Sequence, residues 1–272
     1  LGLMLTISSV LTLLSTYLVQ IYISKNGGLE QVGFYNAGFT LLNSYVGIIF
    51  TVMSTDYFPK LASINSDNEK VRASVVQQAF ISIIIITPII VLFLTFISLV
   101  IKIIYTTKFD EIIPMVCFGI LGMLFRAVSW AMGFILIAKG DSKMFIKTAI
   151  GFNILSLIMN VSGYYFYGLE GLGFSFCLYF LFHFIGLKII TKNRYNFYFD
   201  KEFYQIYFIC FLICVGTFLL RYVEMPILKY SLMTVMILIS FAFSWHQLNK
   251  KMNLNEIFTS FVQRKKDKND SE

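Results

Sequence analysis

The chain has 272 residues, of which 57% are hydrophobic, 17% aromatic and only 14% charged, with a formal net charge of +7. A soluble domain, in which about a quarter of the residues carry charge, is excluded by this balance. Nucleic acid is not an expected partner, because the basic residues are confined to particular loops and form no stripe along one face.

The apolar residues fall into eight blocks at 2–24, 32–54, 77–104, 112–138, 144–166, 172–190, 203–221 and 226–247. Each is long enough to cross a hydrocarbon core of about 30 Å as a helix. The expected fold class is therefore all-α, a polytopic transmembrane helix bundle of about eight spans. The first block is apolar from Leu1, with no basic region or small-residue cleavage site before it. The expectation is a C-terminal portion of something longer. Connectors such as Lys25-Asn26-Gly27-Gly28 and Lys139-Gly140-Asp141-Ser142-Lys143 carry turn-forming and capping residues, so neighbouring spans should run antiparallel. The longest connector, 55–76, reads as an amphipathic helix on the membrane surface or as a solvated loop.

Basic residues flanking spans are retained on the cytoplasmic side. Lys60, Lys70, Arg72, Lys139, Lys143, Lys147, Lys188, Lys192, Arg194, Lys201 and the tail's Lys250, Lys251, Arg264, Lys265, Lys266 and Lys268 fall on one side. Only Lys25, Lys102, Lys108, Arg221 and Lys229 fall on the other. This asymmetry places the C-terminal tail, and by parity the start of the chain, in the cytoplasm.

Arg126 is left over, near the middle of the fourth span, where a charge costs at least about 2.5 kcal/mol by insertion scales. Gly119, Gly122, Arg126, Ser129 and Gly133 recur at helical spacing and share a face. That face is either a cavity wall on which Arg126 holds an anionic group such as a phosphate, or a packing surface whose arginine bonds helix carbonyls or a neighbouring Asn. Comparable polar stripes are Thr6, Ser9, Thr16 and Gln20; Asn36, Thr40, Asn43, Gly47 and Ser54; and Asn153, Ser156, Asn160 and Gly163. One stripe alone reads as helix packing; four together favour a hydrated cavity. The candidate substrate-binding residues are Arg126, Ser129, Asn36, Asn43, Asn153 and Asn160.

His183, one turn from Tyr179, is either a hydrogen-bonded packing residue or a proton carrier. Cys117, Cys177, Cys210 and Cys214 lie inside apolar blocks without metal-ligand spacing and read as buried side chains. Asp and Glu are confined to connectors, span ends and the tail, so no carboxylate at membrane depth is available for an ion relay. No phosphate-binding loop, His-Glu-x-x-His or Gly-x-Ser-x-Gly occurs. No metal, cofactor or enzymatic chemistry is expected.

Val32-Gly33-Phe34-Tyr35-Asn36-Ala37, Tyr57-Phe58-Pro59-Lys60-Leu61, Ala138-Lys139-Gly140-Asp141-Ser142-Lys143, and Asn160 followed by Gly168-Leu169-Glu170-Gly171-Leu172-Gly173 occur in an order that resembles the polysaccharide, or lipid-linked oligosaccharide, flippases of the multidrug/oligosaccharidyl-lipid/polysaccharide exporter superfamily. The resemblance implies the second lobe of a two-lobe alternating-access transporter in residues 1–190, two additional helices in 191–248 and a basic cytoplasmic tail in 249–272. It implies translocation of an undecaprenyl-diphosphate-linked repeat unit across the bacterial cytoplasmic membrane, with Arg126 as a cationic cavity residue. The partners it implies are the lipid-linked oligosaccharide, membrane lipids and an N-terminal lobe of the same protein. A cation-coupled multidrug exporter, or a membrane-embedded polymerase or acyltransferase, is the alternative function.

Overall fold

The computed structural model describes residues 2–252, and among these every regular element is helical. The helices are α1 (Gly2–Thr40), a π-helical segment (Leu41–Val46), α2 (Ile48–Ser63), α3 (Asn68–Ile104), a short 3-10 segment (Thr107–Ile112), α4 (Ile113–Ala138), α5 (Ser142–Tyr195), α6 (Lys201–Leu220) and α7 (Pro226–Met252). Among the described residues six helical runs are long and apolar enough to cross a membrane, and the protein is a multi-pass membrane protein.

Two of those runs are hairpins of two helices. At 54 residues a straight α5 would extend for about 81 Å, more than twice a hydrocarbon core. Instead Gly168 leaves the helical region at φ 57°, ψ −138°, and Ser175 Oγ donates to Met159 O at 2.7 Å across 16 residues that a continuous helix would separate by about 24 Å. In α1 the break is Gly28, at φ 82°, ψ 176°, and Gln20 Nε2 donates to Asn36 Oδ1 at 2.8 Å over the same sequence distance. Both breaks need the left-handed region that glycine enters without a Cβ penalty. Counting each hairpin as two arms gives eight membrane-crossing segments. The hairpins meet each other where the Tyr22 and Tyr164 rings pack edge to face, 6.2 Å between centroids.

α4 is the central helix, apolar on almost every face and buried along most of its length. Close approach is secured by small residues. A Cβ at Gly173 would stand 2.0 Å from Met115 O, and one at Gly122 would stand 2.8 Å from the Cys177 backbone. Within the α5 hairpin, a Cβ at Gly171 would stand 2.0 Å from Gly163 O.

α6 and α7 pack on α3. Pro88 inside α3 has no N–H to give the Ile84 carbonyl four residues earlier, and the Ser244 hydroxyl of α7 donates to that carbonyl at 2.8 Å. At the lysine-rich end, Arg72 bonds the Asp200 carboxylate and lies 3.7 Å over the Tyr198 ring, while Lys251 reaches Glu202 at 3.3 Å. At the same end Asn65 Nδ2 caps Ala138 O at 3.0 Å, and Asp141 accepts from the Met144 N–H, the Tyr195 hydroxyl at 2.7 Å and Arg194 at 2.5 Å. Burial pushes the Asp141 carboxyl up, but these donors outweigh it and hold its pKa below the ordinary aspartate value.

Several sequence boundaries move. Residues 55–76 form no separate surface helix: α2 runs on to Ser63, and α3 begins at Asn68 with Asp67 as its N-cap, accepting from the Glu69 and Lys70 N–H groups. The reason is that Tyr57 and Leu61 are buried, with Tyr57 Oη donating to Ala131 O at 2.8 Å, so the end of α2 packs against α4 as a continuation of its span. The π-helical segment was not foreseen; its wide turn is closed by Gly47 N–H donating to Leu42 O at 3.1 Å. Of the basic tail at 249–272, Lys250 and Lys251 end α7, while residues 253–272, including Arg264, Lys265, Lys266 and Lys268, lie outside the described residues.

Gly171→Val should destabilise the fold by about 1–3 kcal/mol through overpacking against Gly163 O. Thermal unfolding in detergent, beside Gly151→Val at a position with open space around it, should show a lowered midpoint for the first variant alone.

Candidate functional site

The polar faces read from the sequence converge on one cavity of about 640 Å³, within the range of small-molecule sites, about 300–1,000 Å³. Its walls come from the first arm of α1, the second arm of α1 with the π-helical segment, α4, and both arms of α5. All six candidate residues, Arg126, Ser129, Asn36, Asn43, Asn153 and Asn160, line it.

Arg126 is its one strong cation, and no Asp, Glu or Lys is among the described residues that line it. The guanidinium Nη1 donates to Asn43 Oδ1 at 2.6 Å and approaches Met123 Sδ at 3.8 Å. The group sits between two aromatic rings, 5.4 Å from the Phe50 centroid and 5.2 Å from that of Phe180. Among the described residues no carboxylate pairs with it, and its other nitrogens have no hydrogen-bond partner. Arg126 thus bonds a neighbouring Asn and also lines the cavity. A neutral amide and two ring faces do not neutralise a guanidinium, so the site retains a positive charge and unused donors suited to an anion.

Asn43 owes its position to the π-helical segment that carries it. A Cβ at Gly47 would stand 2.2 Å from Asn43 O, so only glycine lets the wide turn close there. Asn36 is held by Gln20 across the α1 hairpin. Ser129 donates to Arg126 O at 3.2 Å. Asn153 and Asn160 lie two turns apart on the first arm of α5, their amide nitrogens donating to Ala149 O at 2.8 Å and Ser156 O at 2.7 Å. Aromatic rings fill the spaces between, with Tyr35, Phe39, Trp130, Phe152, Phe176 and Tyr179 all on the cavity wall.

The polar stripes lie on the cavity with a phase that differs in part from the one the sequence suggests. On α1 the cavity face is Ser8, Thr12, Ser15, Thr16 and Val19, a run at steps of three and four that the sequence displays. Of the residues named from sequence, Thr16 is on that face, whereas Thr6 and Ser9 bond their own helix at Gly2 O and Leu5 O. Of the stripe named on α4, Arg126, Ser129 and Gly133 line the cavity, while Gly119 and Gly122 pack on Leu42 and Cys177. Ser54 bonds Thr51 O and Gly163 is used inside the α5 hairpin. Thr148 was missed.

His183 lines the cavity among the Phe152, Tyr179 and Phe180 rings, at 4.3, 5.8 and 6.0 Å between centroids. Its contact with Tyr179 is ring to ring, and its Nδ1 has no hydrogen-bond partner among the described residues. Cys117, Cys210 and Cys214 are buried and unpaired and Cys177 is half-buried. No cluster of metal ligands occurs among the described residues.

A hydrated cavity makes an accessible thiol. Ser156→Cys, in a Cys177→Ser background, should react with a membrane-impermeant maleimide in intact vesicles, while Cys210 and Cys214 react only after denaturation.

Comparison with curated proteins returned no match. A protein-family model described as "Polysaccharide biosynthesis protein" matches residues 1–114, which contain α1, the π-helical segment, α2, α3 and the start of α4. Over those 114 of its 272 residues the chain is similar to polysaccharide biosynthesis proteins.

Proposed function

We propose that this protein is a flippase for a lipid-linked polysaccharide repeat unit and that residues 1–190 form the second lobe of a two-lobe alternating-access transporter. The observation that carries the reading is the cavity built around Arg126, a guanidinium with unused donors and no carboxylate among the described lining residues. The diphosphate of an undecaprenyl-linked substrate supplies the missing negative charge, and Asn, Ser, Thr and aromatic side chains supply contacts for sugars. The family match over residues 1–114 supports a role in polysaccharide biosynthesis.

The mechanism is binding followed by conformational exchange. Arg126 receives the diphosphate from one leaflet, an N-terminal lobe of the same protein closes the other side of the cavity, and rocking of the two lobes exposes the substrate to the opposite leaflet. No covalent step is required of any side chain. Positive-inside asymmetry orients the lysine-rich end, with Lys60, Lys139, Lys143 and Lys192, toward the cytoplasm of a bacterial cell, with the C-terminus on that side. A cation-coupled multidrug exporter is disfavoured by the lack of a carboxylate among the described cavity residues.

Reconstitution of the full-length protein in vesicles with a fluorescent prenyl-diphosphate saccharide tests the reading. Wild-type protein should move the label between leaflets without forming glycosidic bonds. Arg126→Ala should slow this by about 10–100-fold, the worth of a charge-assisted contact, and Arg126→Lys should recover only part of it because the forked geometry is lost. New glycosidic bonds, or translocation unaffected by Arg126→Ala, contradict the reading.

A further inference from the structure

The cavity wall formed by α1 and the first arm of α5 differs in chemistry from the Arg126 region. Each of four hydroxyls here stands against a carbonyl oxygen: Thr12 against Ser8 O at 3.0 Å, Thr16 against Thr12 O at 2.9 Å, Ser15 against Asn153 O at 3.4 Å and Thr148 against Phe145 O at 2.8 Å. A carbonyl has no proton to give, so the hydroxyl donates in every pair and only its lone pairs remain for a ligand. Each amide nitrogen likewise gives a proton to a carbonyl, Asn153 keeping one N–H free. Asn153 Nδ2 donates to Ala149 O, and Asn160 Nδ2 donates to Ser156 O and to Ser156 Oγ at 3.2 Å, which fixes both amide orientations and leaves the Oδ1 atoms as acceptors. Asn160 is only 7% exposed, yet its Oδ1 has no partner. A buried acceptor left unpaired is costly, and a ligand donor relieves it.

We infer that this wall is a subsite for the free O–H and N–H donors of the sugar unit next to the diphosphate, with Asn153 and Asn160 as its reading residues. The inference rests on the proposed function and names the substrate feature that this part of the cavity selects. An ionised diphosphate has acceptors only and meets mostly lone pairs on this wall, while Arg126 attracts it. Together the two regions fix the polarity of the substrate. A site rich in unpaired acceptors discriminates against an analogue whose donors are capped, because those acceptors are then left unpaired.

Full-length protein in lipid nanodiscs is titrated with three probes: a short-chain prenyl diphosphate, the same compound bearing an N-acetylated disaccharide, and that saccharide with its hydroxyls O-methylated. The free saccharide should bind about tenfold more tightly than its methylated form, and Asn160→Leu should bring the two to parity. The wild-type comparison needs no variant to fold. Equal binding of free and methylated saccharides overturns the subsite and leaves the flippase reading standing if the bare diphosphate still depends on Arg126. Loss of that Arg126 dependence strikes the flippase reading instead, while a persisting preference for the free saccharide upholds the subsite. Absence of binding by all three overturns both. Phosphatidylglycerol also joins a polyol to a phosphate; displacement of the saccharide probe by an equal concentration of it overturns the inference in favour of a phospholipid headgroup.

Discussion

A guanidinium at the depth of Arg126 must be solvated by something, and no carboxylate among the described residues does it. Much of the interior follows from that constraint. One donor is met by Asn43, the guanidinium lies over the Phe50 and Phe180 rings, and the rest opens on a cavity whose walls carry hydroxyls and amides in place of the aliphatic side chains that fill the core around α4. The aliphatic packing of α4 against α3 and the second arm of α5 excludes water on the other sides and keeps the polar face together. The helix with the most completely buried apolar surface therefore also carries the least apolar residue at its middle.

Backbone satisfaction is the second constraint, and it is met by local devices. Gly28 and Gly168 let the chain reverse within one residue, so that four arms arise from two helical runs. Where Pro88 removes a donor from α3, Ser244 of α7 supplies one, so the last helix repairs a defect in a helix more than 150 residues earlier. The wide turn at Leu41–Val46 uses Gly47 to aim Asn43 at Arg126, at the cost of regular helix geometry beside the cavity.

How much of this is legible in the sequence depends on the range of the interaction. Apolar blocks and glycine-containing connectors are local signals, and they locate the crossing segments and the reversals at Gly28 and Gly168. Arg126, Ser129, Asn36, Asn43, Asn153 and Asn160 stand out because a polar group in an apolar helix is conspicuous on its own, and the structure brings all six to one cavity. Phase is harder: α1 carries Thr and Ser on several faces, and only the packing of α1 on α5, fixed by contacts such as Ser15 to Asn153 O, selects Ser8 and Thr12 over Thr6 and Ser9. The π-helical segment has no sequence signature beyond Gly47, and the extension of α2 through Pro59 to Ser63 depends on Tyr57 finding Ala131 O on another helix.

The most direct test of the central claim is a structure of the protein with a short-chain prenyl diphosphate bound. Phosphate density is expected within hydrogen-bond distance of the Arg126 guanidinium, with the prenyl chain leading away from Asn153 and Asn160. Density for the diphosphate elsewhere in the protein, with Arg126 still bonded to Asn43 and acyl chains filling the cavity, would contradict it.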